Sequence, residues 1–457
     1  MSSSPAMSES KSVSASSESV RKKESPWGWV VVMGMFVVII CTRTVTRSLS
    51  TFFLELNHHF GGGSASTAWI ISINDCLTML CAPFGAFLSQ RIGTRLTVML
   101  GGLLSFCGLV LGSFCTNITC LYMGPGVLTG FGSALSFTPT LALIGVFFQK
   151  RLAFALGLAT SGNGVGTFIL PPISQLLIET FGWRGAMIIL GSIVAHICVC
   201  GALFQRPPSS EPIQVLSQEK NDCASLQDGC DVEKSRARSQ RTLPYQQLLR
   251  PEFFSFCFVT TLLCYGAITP LVYIIPYAQF KGFSDQKAAF LLSVLGIMDI
   301  VGTVTSGWLI DRKCLRGHEV HCYASTIFLY ALVPMLLPIM NTYSQLMACV
   351  VIYGYFNGAS GVFIPFMVST LINSKLAPTA LSIVNCSLGI PYLVGPPISG
   401  WLKDRTSGYT LPFIISGLIK LFSMVILEAT FLWTNCLKSR KSRSTARKLP
   451  ACCYAGS

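Results

Sequence analysis

Four charged side chains interrupt long apolar runs: Arg43, Arg47, Asp75 and Asp299. A charge in hydrocarbon is expensive to hold, so each is expected to pair, to bind something or to carry a proton. Arg43 and Arg47 stand four residues apart and share one face of a helix. A guanidinium keeps its proton and grips a carboxylate through two parallel hydrogen bonds, so this face suits an anion. The plainer reading is that both arginines snorkel to an interface. Asp299 sits in Gly296-Ile-Met-Asp-Ile-Val301, twelve residues before Asp311. That is about 18 Å along a helix, near the middle of a bilayer. A carboxylate there needs hydrogen-bond donors, a cation or a proton. Asp75 is similarly deep and pairs most simply with Arg43 or Arg47. His196 reads as a hydrogen-bonded packing residue. No cluster of nucleophile, base and oxyanion donors accompanies these charges, and no zinc, phosphate-loop or Ser/His/Asp pattern rises above background. An enzyme is therefore disfavoured and no cofactor is expected. Ser161-Gly-Asn-Gly-Val-Gly166 imitates a dinucleotide fingerprint, but no strand precedes it, and small residues here let helices approach.

The elements that must position these charges follow from composition. Of 457 residues, 51% are hydrophobic and 11% charged, against roughly 25% charged in soluble domains. Twelve apolar segments approach or exceed the ~20 residues that span a hydrocarbon core. They lie near 27–54, 67–88, 96–115, 119–147, 152–178, 183–204, 253–279, 287–310, 322–340, 345–372, 377–402 and 411–435. The expected fold class is an all-α polytopic membrane protein with twelve transmembrane helices in two six-helix pseudo-repeats. Residues 1–26 form a polar, Ser-rich tail expected to be disordered. Residues 27–204 and 253–436 form the two halves. Residues 205–252 form a linker with seven basic and seven acidic residues, and 437–457 a basic tail. No N-terminal signal peptide is expected. Basic residues at Arg21-Lys22-Lys23, Arg91, Arg95, Lys150-Arg151, Arg312-Lys313 and the C-terminal tail fall on one side in a twelve-span count, which predicts both termini cytoplasmic. The net charge of +14 is then mostly a topology signal, and no nucleic acid partner is implied. Of the 19 cysteines, many lie inside apolar spans, such as Cys41, Cys76, Cys81, Cys107, Cys198, Cys200 and Cys264, and read as small packing residues. Cys452 and Cys453 are candidates for palmitoylation or ordinary tail thiols. Asn117-Ile-Thr119 is a sequon on a loop too short for glycosylation to be expected.

The two halves repeat. Ala68-Trp-Ile-Ile-Ser72 corresponds to Ala289-Phe-Leu-Leu-Ser293, and Pro171-Pro-Ile-Ser174 to Pro396-Pro-Ile-Ser399. Such parallel halves resemble the major-facilitator architecture, which places a solute site at mid-membrane between them. Gly307-x-x-x-Asp311-Arg312 resembles that superfamily's loop motif, in which the acid caps and charge-pairs at helix ends and latches one conformation. Its first-half counterpart, Gln90-Arg91-Ile92-Gly93-Thr94-Arg95, lacks the acid.

Further residues resemble the monocarboxylate transporter family. They are Glu24-Ser-Pro-Trp27-Gly28-Trp29 at the entry to the first helix, Phe147-Phe-Gln-Lys150-Arg151 continuing to Ala155-x-Gly157-x-Ala159-x-Ser-Gly162, and Gly182-Trp183-Arg184. Cys41-Thr-Arg43-x-Val-Thr-Arg47, Asp75-Cys-x-Thr-Met-Leu-Cys-Ala-Pro83 and the stretch from Ala288 to Asp299 are most similar to its creatine-carrying branch. The resemblance implies a substrate set. Lactate-type members use a helix-one Lys and a helix-eight Asp and Arg; here those positions hold Arg47, Asp299 and Thr303. Lys150 and Arg151 match basic residues at the cytoplasmic mouth, and Asp311 with Arg312 would form the gate. Arg47 can clamp a carboxylate but is a poor proton carrier. Asp299, without an Arg at 303, is left for a positive group on the solute. A small zwitterion such as creatine or guanidinoacetate fits this pair, with Arg43 as a further contact. The alternative is proton-coupled symport of lactate or pyruvate. The resemblance also implies a plasma-membrane location, contact with the lipid bilayer and a single-span immunoglobulin-like chaperone of the basigin type.

Overall fold

The computed structural model describes residues 26–60, 64–148, 151–204, 248, 250–312, 318–372, 376–406 and 408–447. Side chains at 44, 46–51, 53–60, 64–68, 171, 285 and 435–447 lie outside the description. So do most of the N-terminal tail and the linker, Lys150, and the tail cysteines Cys452 and Cys453.

The described residues are helical throughout, with no strand among them. The helices are α1 (Trp27–Phe60), α2 (Ser64–Leu80), α3 (Ala82–Ile92), α4 (Thr94–Ser113), α5 (Ile118–Phe147), α6 (Leu152–Thr160) and α7 (Gly162–Leu203) in the first half. The second half has α8 (Pro251–Phe280), α9 (Asp285–Ile310), α10 (Glu319–Leu336), α11 (Tyr343–Leu371), α12 (Ala377–Thr406) and α13 (Thr410–Arg447). Ten stretches are long and apolar enough to cross a membrane, eleven when α2 and α3, bent by 47°, are taken as one broken span. The apolar part of the first helix is shorter, Trp27–Arg43, yet α1 continues unbroken past Arg43 and Arg47 to Phe60.

Breaks fall where the backbone demands them. Cys81, followed by Ala82 and Pro83, leaves helical geometry between α2 and α3, because proline removes a ladder donor and clashes with the preceding turn. The 42-residue α7 is interrupted at Gly182, whose φ of 68° suits glycine; the apolar segments ending near 178 and starting at 183 meet there. α13 runs past residue 436, where the sequence suggests the half ends, and reaches Arg447. A disulfide joins Cys115 and Cys120 across the turn from α4 to α5, a pairing the sequence reading does not include. His196 is exposed on the bundle surface, its Nδ1 near the Ser192 and Ile193 carbonyls.

One end of the bundle gathers the chain ends. Trp29 packs edge-on against Phe148 and Phe154, with ring centroids 5.1 and 6.2 Å away. Ser255 at the start of α8 bonds Thr430, midway along α13, at 2.7 Å. The halves meet along two seams, α6 and α7 against α9, and α2 and α3 against α12. The first is a close backbone approach. A β-carbon at Gly157 would stand 2.5 Å from the Thr303 carbonyl, and one at Gly164 2.5 Å from that of Gly296. Small residues at these positions let the helices pack backbone to backbone, as in membrane interfaces generally.

Candidate functional site

Between the halves lies a cavity of about 210 Å³. That is below the ~300–1,000 Å³ of pockets for drug-sized ligands, so its occupant is small. Asp299 lines it from α9, with Arg43 and Asn163 from the first half and Thr303, Asn357 and Tyr392 from the second.

Asp299 is 2% exposed. Its Oδ1 accepts from Asn357 Nδ2 at 2.7 Å and its Oδ2 from Asn163 Nδ2 at 3.2 Å. The two amides come from different halves, so the carboxylate is held across the seam. Neutral amides stabilise a carboxylate by hydrogen bonding without neutralising it. Asn357 is itself oriented, since Tyr330 Oη donates to its Oδ1 at 2.7 Å. The Oδ1 of Asn163 is buried and has no hydrogen-bond partner among the described residues. A buried open acceptor beside a carboxylate is an arrangement that asks for a donor.

Thr303 does not reach the carboxylate of Asp299. Its hydroxyl donates back along α9 to the Asp299 and Ile300 carbonyls, at 3.0 and 2.9 Å. Arg43 enters the cavity from α1, hydrogen-bonded to the side chain of Tyr392 and within electrostatic reach of both Asp75 and Asp299. The structure thus brings Arg43, Asp299 and Thr303 to one cavity. The side chain of Arg47 lies outside the described residues. Thr42, Arg43, Asp75 and Thr78 line a smaller adjoining space.

At the end of the bundle that gathers the chain ends, Asp311 reaches from α9 to the start of α6. Its Oδ2 accepts from the backbone N–H of Phe154 at 2.8 Å and its Oδ1 from that of Ala153 at 3.2 Å. The first N–H groups of a helix lack intrahelical partners and carry positive partial charge, so an incoming carboxylate binds there. Arg312 lies over the Trp308 ring at 3.9 Å, and Arg151 is exposed. Gln90 Nε2 donates to Thr379 Oγ1 at 3.2 Å across the other seam. A second cavity of about 320 Å³ opens beside this end and shares Leu141, Pro365 and Leu381 with the central one.

Several buried or half-buried polar residues are not among the four charges that the sequence singles out. Asn163 and Asn357 are neutral amides in apolar helices. Lys420, on α13, is a fifth charge within a span, and it is fully buried.

The Major Facilitator Superfamily matches residues 35–320 and 315–451. Monocarboxylate transporter 12 of Xenopus laevis is 44% identical over 407 residues, covering 88% of each chain. Monocarboxylate transporter 12 of Homo sapiens is 41% identical over 414 residues, covering 88% of this chain and 80% of its own length. Among solved structures, the proton:xylose symporter XylE superposes with a TM-score of 0.69 at 12% identity, covering 89% of this chain and 96% of its own; at that identity the likeness speaks for the fold alone. With the family match spanning most of the helical chain, and with relatives of this similarity, the chain belongs to the monocarboxylate transporter family of the Major Facilitator Superfamily.

Proposed function

We propose that this solute transporter moves creatine and guanidinoacetate across the plasma membrane by alternating access, facilitatively and without sodium. The observation that carries the reading is the asymmetry of the central cavity. One guanidinium, Arg43, faces it from the first half. One carboxylate, Asp299, faces it from the second, held by amides where the lactate-type pattern would supply an arginine. A solute with a carboxylate at one end and a guanidinium at the other matches both charges. The open Oδ1 of Asn163 adds an acceptor for a guanidinium N–H. Arg47 and Arg43 would hold the solute carboxylate, and Asp299 with Asn163 its cationic end. Asp311 and Arg312 would act as the gate at the cytoplasmic end, with Lys150 and Arg151 at the mouth. In this arrangement both termini, and the linker between the halves, are cytoplasmic. A basigin-type single-span chaperone would assist delivery to the surface.

Radiolabelled uptake in oocytes tests the reading. Creatine should enter at a rate indifferent to external pH and to replacement of sodium, and lactate should not compete. Uptake of lactate that rises several-fold in an inward proton gradient, without creatine uptake, would favour proton-coupled monocarboxylate symport, with Asp299 as the protonated group.

A further inference from the structure

Lys420 is the one fully buried lysine side chain among the described residues, with no exposed surface. Its Nζ has no hydrogen-bond partner among them. It lies 3.5 Å from the centroid of the Tyr330 ring and 4.6 Å from that of Tyr353. Gly266 on α8 makes the room, since a β-carbon there would meet Lys420 Cγ at 2.6 Å. Serine hydroxyls fix the approach of the two helices, Ser416 Oγ donating to the Gly266 carbonyl at 2.6 Å.

Packing alone does not account for an ammonium in this place. Burying an unpaired charge costs several kcal/mol even after relaxation, while a desolvated cation–π contact returns about 2 kcal/mol. A leucine or methionine would fill the same space without that penalty. What the ammonium touches is the end of a chain of polar groups that leads to the central cavity. Tyr330 Oη lies 2.7 Å from Asn357 Oδ1 and 3.1 Å from Tyr353 Oη. Tyr353 Oη donates to the Ala267 carbonyl at 2.7 Å and can only accept from Tyr330, whose proton goes to the nearer of its two acceptors, Asn357 Oδ1. The Lys420 amino group over the Tyr330 ring donates to its face, which draws density from the phenol and strengthens its O–H as a donor. That fixes Asn357 with its oxygen toward Tyr330 and its amide N–H toward Asp299, 2.7 Å away.

We propose that Lys420 is a positioning residue for solute binding. Acting through Tyr330 and Asn357, it holds Asp299 in the orientation that receives the cationic end of the solute. The choice of solute rests on the functional reading above; the chain of contacts does not.

The test is uptake of labelled creatine and lactate in intact cells, normalised to surface transporter by biotinylation, for wild type, Lys420→Met, Lys420→Arg and Tyr330→Phe. In Lys420→Met, KM for whichever solute the wild type carries should rise about tenfold, with the maximal rate per transporter within about twofold. Lys420→Arg, which keeps the cation over the ring, should restore KM. Tyr330→Phe keeps the ring, removes only the hydroxyl and should match Lys420→Met. The double variant should be no worse than either single one, because both act on one chain of contacts. An unchanged KM in Lys420→Met, an equal defect in Lys420→Arg at normal surface amount, or additive defects in the double variant would overturn the proposal. If Lys420→Met does not reach the surface, Tyr330→Phe decides it alone, an unchanged KM counting against. A wild type that carries only lactate rejects the creatine reading and leaves these comparisons readable.

Discussion

Removing the carboxylate of Asp311 should release the contact between α9 and the start of α6. The carboxylate belongs to the second half and its two donors, Ala153 and Phe154, to the first, so any movement that parts the halves at this end must break both bonds. Loss of a side-chain cap at a helix N-terminus costs about 1 kcal/mol. The negative charge at the positive helix end adds about 0.3–1 kcal/mol. Asp311→Ala therefore loses about 1.3–2 kcal/mol, which, at 1.4 kcal/mol per decade, is a shift of about tenfold to thirtyfold toward the state open at this end. Ser369, which lines the cavity beside the same end, serves as reporter. With Ser369→Cys, labelling by an impermeant maleimide applied from the side of the chain ends should rise about tenfold when Asp311→Ala is added. Asp311→Ala with Ser369 intact gives the labelling of native cysteines, Cys264 of the central cavity among them, and is subtracted. Equal labelling rates would refute the latch, as would a decrease.

Further outcomes follow from other contacts. Asn163→Leu removes an open acceptor beside Asp299; because a hydrogen bond to a charged group contributes about 1.5–3 kcal/mol, KM for a guanidinium-bearing solute should rise at least about tenfold, and more than for lactate, in parallel uptake assays. Gly157→Val sets a side chain 2.5 Å from the Thr303 carbonyl. Backbone cannot yield as a side-chain tip can, so transport per surface molecule should fall more than about tenfold, and normal transport would mean the seam is looser than described. Replacing Cys115 and Cys120 together by serine opens a six-residue loop, worth about 2 kcal/mol by the chain-entropy relation. The apparent melting temperature of the purified protein should drop by a few degrees, and reductant should lower the wild type to the same value.

Much of the fold is legible in the residues because hydrocarbon leaves few options. Long apolar runs must be helices that satisfy their own backbones, and turns fall at Gly93, Gly182 and the proline after Cys81. Asp299 stands out for the same reason, as a carboxylate with apolar neighbours. Its partners do not. Asn163 and Asn357 differ little in polarity from the serines and threonines that such helices carry on any face, and only the packing of α7 and α11 against α9 brings their amides to one carboxylate. Lys420 sits within Gly417-Leu-Ile-Lys-Leu-Phe, where a lysine is as compatible with snorkelling as with burial. Which of the two occurs depends on Gly266, 154 positions earlier on another helix. Arg43 and Arg47 share one helix face by spacing, and the family resemblance puts Arg47 first, with Arg43 as a further contact. In the structure Arg43 is hydrogen-bonded to Tyr392 and within electrostatic reach of Asp75 and Asp299. The disulfide was hidden because Cys115 and Cys120 fall in a short turn among many cysteines that do pack as small apolar residues.

The most direct test of a cavity built for a zwitterion is creatine uptake by Asp299→Asn at matched surface amount. The amide keeps the size of the side chain and removes the charge. Uptake should be abolished, because the cationic end of the solute would lose its carboxylate partner on α9, and an unchanged rate would contradict the assignment.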